Sequence, residues 1–425
     1  MADGNETARG AALALVNAVL EDHRPISDLT GTDGPLADMA PAERARATRL
    51  ALSTLRHAGR ADAVLRPLLR KHPPAALRNL LRLAIVEMMQ DGAAPHGVVN
   101  AAVTLIRRDR EMQHLSGLAN AVLRKAADVT PEAWAALPPQ RMPGWLRGRL
   151  ESFMGRAGVE ALEAAHAAGA PLDLTPKTDG DAVARAVGGE LLPTGSVRLA
   201  GPGQVSALPG YVAGAWWVQD AAAAIPARLL DVRPGERVLD MCAAPGGKTM
   251  QMAAAGAAVT ALDVSPQRLA RLEENLARTR LTATCIAADA LTWRPAARFG
   301  AILLDAPCSA TGTIRRHPDL PFVRSAREIK PLVALQARMI DAALDMLEPG
   351  GRLVYCTCSL LPEEGEMQVA DALGRHAGLR PEPPVMPWIE QAWRTPDGGL
   401  RLRPDFWPAR GGMDGFHIAV LRKPA

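Results

Sequence analysis

Cysteine is scarce in this 425-residue chain. Five are present, an odd number without disulfide-like spacing, which excludes a disulfide framework and fits a reducing compartment where free thiols are open to chemistry. Long apolar runs are missing as well. The longest uncharged stretch, residues 199–219, is broken by Pro202, Gln204 and Pro209, so no membrane helix is expected. The opening "MADGNETARG" lacks the basic-then-apolar layout of a signal peptide. These absences predict a cytoplasmic protein with no membrane partner. No internal repeat, coiled-coil heptad or low-complexity tract is seen.

Two further absences concern glycine. "LDMCAAPGGKT", residues 239–249, ends in the Gly-Lys-Thr of a nucleotide-triphosphate P-loop, but that loop needs a glycine five positions before its last glycine, where Cys242 stands. A cysteine there removes the residue that permits the tight phosphate-cradling backbone. Nucleotide hydrolysis therefore stays only as an alternative. The spaced triple glycine of a dinucleotide site is also lacking. What remains is a short apolar strand, Asp240 at its end, and a turn of small residues. That combination suits a nucleoside without a pyrophosphate, such as S-adenosylmethionine.

With 48% hydrophobic residues, the chain is long enough for two or three cores. Residues 1–128 repeat apolar side chains at three- and four-residue spacing, as in "ALALVNAVL" and "LRNLLRLAIVEMM", and predict an all-helical module. Residues 129–215 begin Pro-rich and continue as short apolar runs cut by Gly and Pro, a linker and small α+β domain. Residues 216–425 alternate strand-like runs ("RVLDM", "AVTALDV", "TATCIAADA", "FGAILLDAP", "GRLVYCTCS") with helical patterns, which predicts a parallel sheet with crossover helices. Formal net charge is only +4, yet residues 44–82 hold ten basic side chains against the single acid Asp62. A block of this kind attracts phosphate backbones, unless it is merely the solvated face of an arginine-rich chain.

In such a sheet the ligand lies beyond the carboxyl ends of the strands. Asp240, Asp263, Asp289 and Asp305 each close one of four strands, and Asp263 follows Asp240 by the interval at which a carboxylate meets ribose hydroxyls. Each acid could instead cap the helix after it. "DAPCSATGTIRRHPD" sets Cys308 three residues after Asp305, and "YCTCS" sets Cys358 at the end of the next strand, so two thiols can face one pocket. Cys242, Cys285 and Cys356 read as small buried hydrophobes. Cys356, Cys358, Cys308 and His317 lack zinc-ligand spacing, and no metal is expected.

These three motifs, in this order, resemble the signature motifs of the RsmB/Sun family of RNA cytosine-5 methyltransferases. "PHGVVNAAVTLIRRD" and "LSGLANAVLRK" resemble the NusB-type RNA-binding domain of its RsmB branch. The resemblance implies an all-α N-terminal domain, a small α+β middle domain and a C-terminal α/β class I, Rossmann-like methyltransferase. It also implies a methyl donor, S-adenosylmethionine, held by Cys242, Ala243, Ala244, Pro245, Gly246, Gly247, Lys248, Asp263, Arg268, Asp289 and Asp305. Cys358 is implied as nucleophile on cytosine carbon 6, Asp305 as hydrogen-bond partner of the base, and Cys308 as the group assisting release. Arg315, Arg316 and His317 are expected to grip phosphates. Small-subunit (16S) ribosomal RNA is the implied partner of a monomeric enzyme. Transfer RNA as substrate, or a non-catalytic RNA-binding assembly factor, are the alternatives. Two positions depart from the family pattern: His417, where an aromatic is usual, and Cys356, commonly Ala or Ser, whose extra thiol is expected to ease oxidation beside Cys358.

Overall fold

In the computed structural model of the chain, which describes residues 4–31, 34–201 and 203–425, the apolar repeats of the first third wind into helices. The main ones are Gly4–Leu20, Pro41–Leu65, Ala75–Met89, Pro95–Arg108 and Ser116–Ala126. Pro41 and Pro95 open two of them, where a missing N–H costs nothing. Their apolar stripes meet in cores that bury Leu15, Val16, Leu55, Leu80, Leu81 and Ile85. Helix Gly144–Ala168 is broken at Gly155, whose φ of 76° no other residue type adopts cheaply.

Compactness divides the chain at Gly169. One unit is Met1–Gly169 with Ile314–Ser325, and the other is Ala170–Thr313 with Ala326–Ala425. The stretch expected as a middle domain is thereby shared. Its helices Pro131–Ala136 and Gly144–Ala168 lie in the first unit. Its strands β1 (Leu172–Pro176), β2 (Glu190–Leu191) and β3 (Val197–Leu199) join β4 (Trp216–Val218), just past its expected end, in an antiparallel sheet, order β2-β3-β1-β4, in the second. The charge block is also more balanced than its composition suggests. Arg78 and Arg82 both reach Asp62 at 2.7 Å, and Arg46 pairs with the buried Glu87, which also takes Arg9. The exposed cations of the block include Arg49, Arg66, Arg70 and Lys71.

The main sheet of the second unit is built from β5 (Arg237–Met241), β6 (Ala258–Asp263), β7 (Thr284–Ala287), β8 (Phe299–Asp305), β9 (Leu347–Thr357), β10 (Arg380–Pro381), β11 (Leu400–Leu402) and β12 (Phe416–Arg422). Its order is β10-β12-β9-β8-β5-β6-β7, with β11 beside β12. Strands β5 to β9 run parallel and β12 antiparallel. The parallel strands are covered on both faces, as such sheets require. Leu239, Met241, Ile302, Leu304, Leu353 and Tyr355 enter one core, and Val238, Ala301, Leu303, Val354 and Cys356 the other. The chain leaves β5 toward β6 on one side and later returns to its other side as β8, so the order reverses between β5 and β8. A crevice opens at the carboxyl ends of the strands at such a reversal.

Candidate active site

The turn after β5 carries the small-residue motif. Cys242, standing where a P-loop would have glycine, takes a left-handed backbone, φ 61°, at a cost on the order of 1–2 kcal/mol. Ala244 N–H donates to Asp263 Oδ2 at 3.1 Å, and Ser265 N–H donates to Asp263 Oδ1 at 3.0 Å. The acid that ends β6 thus ties its own turn to that of β5. At Gly246, φ is 102° and a Cβ would lie 2.7 Å from the Leu272 side chain; glycine is required twice over. Helix Gly247–Ala254 starts immediately after.

Asp240 does not end its strand. It lies inside β5, 1% exposed, and Thr249 Oγ1 donates to its Oδ2 at 2.5 Å while Oδ1 is buried without a partner. Burial, only partly offset by Thr249 and Lys248, pushes its pKa up to about 7. This carboxyl braces the helix start from beneath. Asp289 lies two residues beyond β7, exposed, and accepts from Leu291 N–H at 2.9 Å. Arg268 is half exposed, 3.5 Å from Asp263 Oδ2, and donates to the Ala244 carbonyl.

Across the crevice, Lys248 Nζ meets Asp305 Oδ2 at 2.7 Å and lies 5.4 Å from the Phe416 ring. Burial opposes the charge on Lys248, but Asp305 outweighs it and raises the pKa above the ordinary lysine value. The Cys356 thiol donates to Asp305 Oδ1 at 3.5 Å. It is fully buried, and burial followed by Asp305 drives its pKa up, so Cys356 is a protected hydrogen-bond donor, not the easily oxidised neighbour expected from its position. The thiols that do approach are those of Cys308 and Cys358, 3.5 Å apart. The hydrogen bond it shares with Cys358, then burial, holds Cys308 well above the usual thiol range.

The loops bearing this pair are joined by a group that no sequence pattern singles out. Glu364 is fully buried. Its Oε1 accepts from Ser309 N–H at 2.9 Å and from Gln336 Nε2 at 3.0 Å. Its Oε2 accepts from Ser309 Oγ at 2.5 Å and from Ser359 Oγ at 2.6 Å. Ser309 follows Cys308 and Ser359 follows Cys358, so one carboxylate fastens both cysteine loops. Tyr355 and Thr357 of β9 donate to the Glu364 carbonyl at 2.8 and 3.0 Å, fixing that residue to the sheet. The sole sequence hint was an acid in "LPEEGE" just past the last motif.

His417, the other departure from the family pattern, is buried on β12 opposite Thr357, with Nε2 3.2 Å from Asp397 Oδ2. Arg315, Arg316 and His317 fall in the segment that packs in the first unit. Arg315 is fully buried, its carbonyl accepting from Arg56 Nη2 at 2.8 Å, whereas Arg316 and His317 are exposed. Burial removes Arg315 from the surface a phosphate can reach and leaves the other two there. Among the described residues, no helix is long and apolar enough to cross a membrane and no group of three or more His, Cys, Asp or Glu could hold a metal ion.

A parallel sheet reversing between β5 and β8, a small-residue turn, and an acid at the end of β6 define a Rossmann-like methyltransferase. Residues 227–422 match the family described as 16S rRNA methyltransferase RsmB/F, and residues 6–128 match the NusB family. A protein of Pseudomonas putida named ribosomal RNA small subunit methyltransferase B is 36% identical over 88% of this chain and 89% of its own length. The protein of that name from Erwinia tasmaniensis is 39% identical over 71% of this chain and 65% of its own length. Among solved structures, a methyltransferase homolog protein from Pyrococcus horikoshii is 28% identical, TM-score 0.56, over 65% of this chain and 93% of that one. NSun6 from the same organism, solved with SFG, shares the fold at 20% identity and TM-score 0.59, over 67% of this chain and 98% of that one. The chain belongs to the RsmB/F methyltransferase family and is a methyltransferase.

Proposed function

We propose that the protein methylates carbon 5 of a cytosine in RNA, with small-subunit ribosomal RNA as substrate and S-adenosylmethionine as methyl donor. The observation that carries this reading is the meeting of Cys308 and Cys358 at 3.5 Å on loops of adjacent strands, with Asp305 ending one of them. Carbon 5 of cytosine is a poor nucleophile. A thiolate adding to carbon 6 makes the ring an enamine able to attack an electrophilic methyl.

The residues present suit the donor. Asp263 spends one hydrogen bond per oxygen on backbone amides, which leaves a lone pair on each for ribose hydroxyls, and Gly246 and Gly247 leave the turn bare. Cys242, Ala243, Ala244 and Pro245 would complete the cradle, Asp289 would serve the adenine, and Arg268 would border the cradle. The donor, when bound, supplies the sulfonium methyl. Cys358 attacks carbon 6; Asp305, beside Lys248 and Cys356, accepts from the exocyclic amine and, in its protonated form, delivers a proton to ring nitrogen 3 as charge develops there. Cys308, 3.5 Å from Cys358, assists the release step, in which the carbon-5 proton leaves and the bond to Cys358 breaks. The base reaches these groups unstacked from its neighbours. Arg316 and His317, with Arg66, Arg70 and Lys71 around a 310 Å³ depression of the first unit, supply phosphate contacts.

The relatives' name, ribosomal RNA small subunit methyltransferase B, supports ribosomal RNA over transfer RNA. Bisulfite sequencing of RNA from cells lacking the gene tests this: loss of one small-subunit 5-methylcytosine is expected, and loss confined to transfer RNA would overturn the substrate.

A further inference from the structure

A second cavity, of about 430 Å³, lies in the second unit between the small sheet and the helix Ala221–Leu230. It is lined by Lys177, Thr178, Trp217, Arg228, Asp231 and Gln251, among others. Helix Ala221–Leu230 runs into β5, so its last turn marks the amino edge of that strand, whereas the catalytic groups stand at the carboxyl edge. None of the groups assigned to methyl transfer reaches it.

Arg228 is what makes this cavity unusual. Its side chain is largely buried, yet its Nε has no hydrogen-bond partner, and among the described residues its guanidinium makes no hydrogen bond or ion pair. Burial alone acts on it, lowering its pKa, with no carboxylate offsetting that penalty. A charge taken from water without a partner is costly. The turn beneath it is shaped to admit it: Gly195 has φ 79°, and a Cβ there would lie 2.7 Å from Arg228 Nη1 and 2.9 Å from Nη2. The hydroxyls on either side, Thr194 and Ser196, are buried and also lack partners. Lys177 adds a second cation, its Nζ held at 2.7 Å by the Thr279 carbonyl and by no acid. Asp231, the one acid among the residues named, is exposed and makes no ion pair with either cation.

We propose that this cavity is a phosphate-binding site in which Arg228 and Lys177 receive either a phosphodiester of bound RNA or the phosphate of a free nucleotide. A planar fork of donors beside a mobile ammonium matches phosphate geometry, and the volume is that of a small-molecule site, with room for the sugar or base attached to it. The site is independent of the cytosine-5 reading. The competing role is structural: Arg228 is in the last turn of its helix, where a cation meets the negative end of the dipole.

The two roles predict opposite behaviour. A ligand-binding Arg228 costs the free protein stability, so R228M should melt at the same or a higher temperature than the parent in chloride buffer. Replacing chloride by inorganic phosphate or adenosine monophosphate at equal ionic strength should raise the parent melting temperature by about 2–4 °C more than that of R228M or K177M, while R228K keeps part of the rise. The comparison with the variants removes the general stabilisation that phosphate gives any protein. If RNA is the source, the salt slope of binding to a single-stranded oligoribonucleotide falls by about 0.7 in R228M. If that slope is unchanged but the extra rise disappears, the site takes a free nucleotide. An R228M protein that melts lower or does not fold, or one stabilised by phosphate as much as the parent with an unchanged RNA slope, overturns the proposal. Cofactor affinity and the cysteine adduct are untouched by these variants, so failure here leaves the methyltransfer reading standing.

Discussion

The two halves of the catalytic crevice are fastened by contacts of different reach. On the nucleoside side the ties are short in sequence: Ser265 to Asp263 spans 2 residues, Thr249 to Asp240 spans 9, and Ala244 to Asp263 spans 19. On the thiol side, Cys308 and Cys358 meet across 50 residues, and Ser309 reaches Glu364 across 55. The first half is a property of one strand–turn–helix unit and the strand after it. The second exists only when β8 and β9 pair and a buried carboxylate locks their loops together. Damage to the first should be local and graded, felt as ligand affinity, while damage to the second should disturb reacting atoms whose positions matter to about an ångström.

The largest effect sought in that comparison is at the thiols. Cys358→Ala should lower turnover by on the order of 10⁴ or more while both ligands still bind and no covalent RNA adduct forms. Cys308→Ala should let attack and methyl transfer proceed but stall release, and a slow band on a denaturing gel should accumulate; it should vanish in the double variant. The opposite pattern of adducts would exchange the two roles.

Glu364 tests the long-range half without touching either sulfur. Glu364→Gln can no longer accept from every donor around it, and turnover should fall by about 10²-fold with S-adenosylmethionine affinity unchanged. Glu364→Ala should also destabilise the fold by about 3–5 kcal/mol, because buried donors lose their acceptor. Equal losses of turnover and cofactor affinity in Glu364→Gln would make this residue a general scaffold and erase the distinction between the halves.

Asp263→Ala probes the short-range half. Loss of hydrogen bonds to a charged acceptor, about 1.5–3 kcal/mol, should weaken S-adenosylmethionine binding by about 10- to 150-fold and leave RNA affinity near normal in a titration. Unchanged cofactor affinity would remove Asp263 from the ribose. In the helical unit, replacing Arg66, Arg70 and Lys71 together by Gln should reduce the salt slope of RNA binding by about 2; an unaltered slope would make them only a solvated face.

The smallest effect is expected under the turn. The Asp240 carboxyl is pushed up to about 7 in the fold, whereas an ordinary aspartate titrates near pH 3.9. The folded protein therefore keeps a proton that the unfolded chain releases. Its stabilising contribution is complete below about pH 4 and is lost as pH rises through about 7. Asp240→Asn should flatten the melting-temperature profile across that window, and an identical profile would show that this carboxyl titrates normally.

The sequence by itself determined the strand–helix alternation of residues 216–425, the helical first third, and the three motifs with Asp263, Asp305, Cys308 and Cys358. These are legible because apolar periodicity and turn residues act over a few positions, and Asp263 follows Asp240 at the interval expected of a ribose-binding carboxylate. Tertiary structure alone decided that Asp240 is a buried brace, that Cys356, already read as buried, donates to Asp305, and that Arg315 is buried while Arg316 stays outside. It also decided that part of the expected middle domain joins the helical unit and part forms a separate small sheet in the unit of the main sheet, and that Glu364 holds both cysteine loops. Burial and pairing between residues 50 apart follow from strand order and packing, and a short window of sequence carries neither.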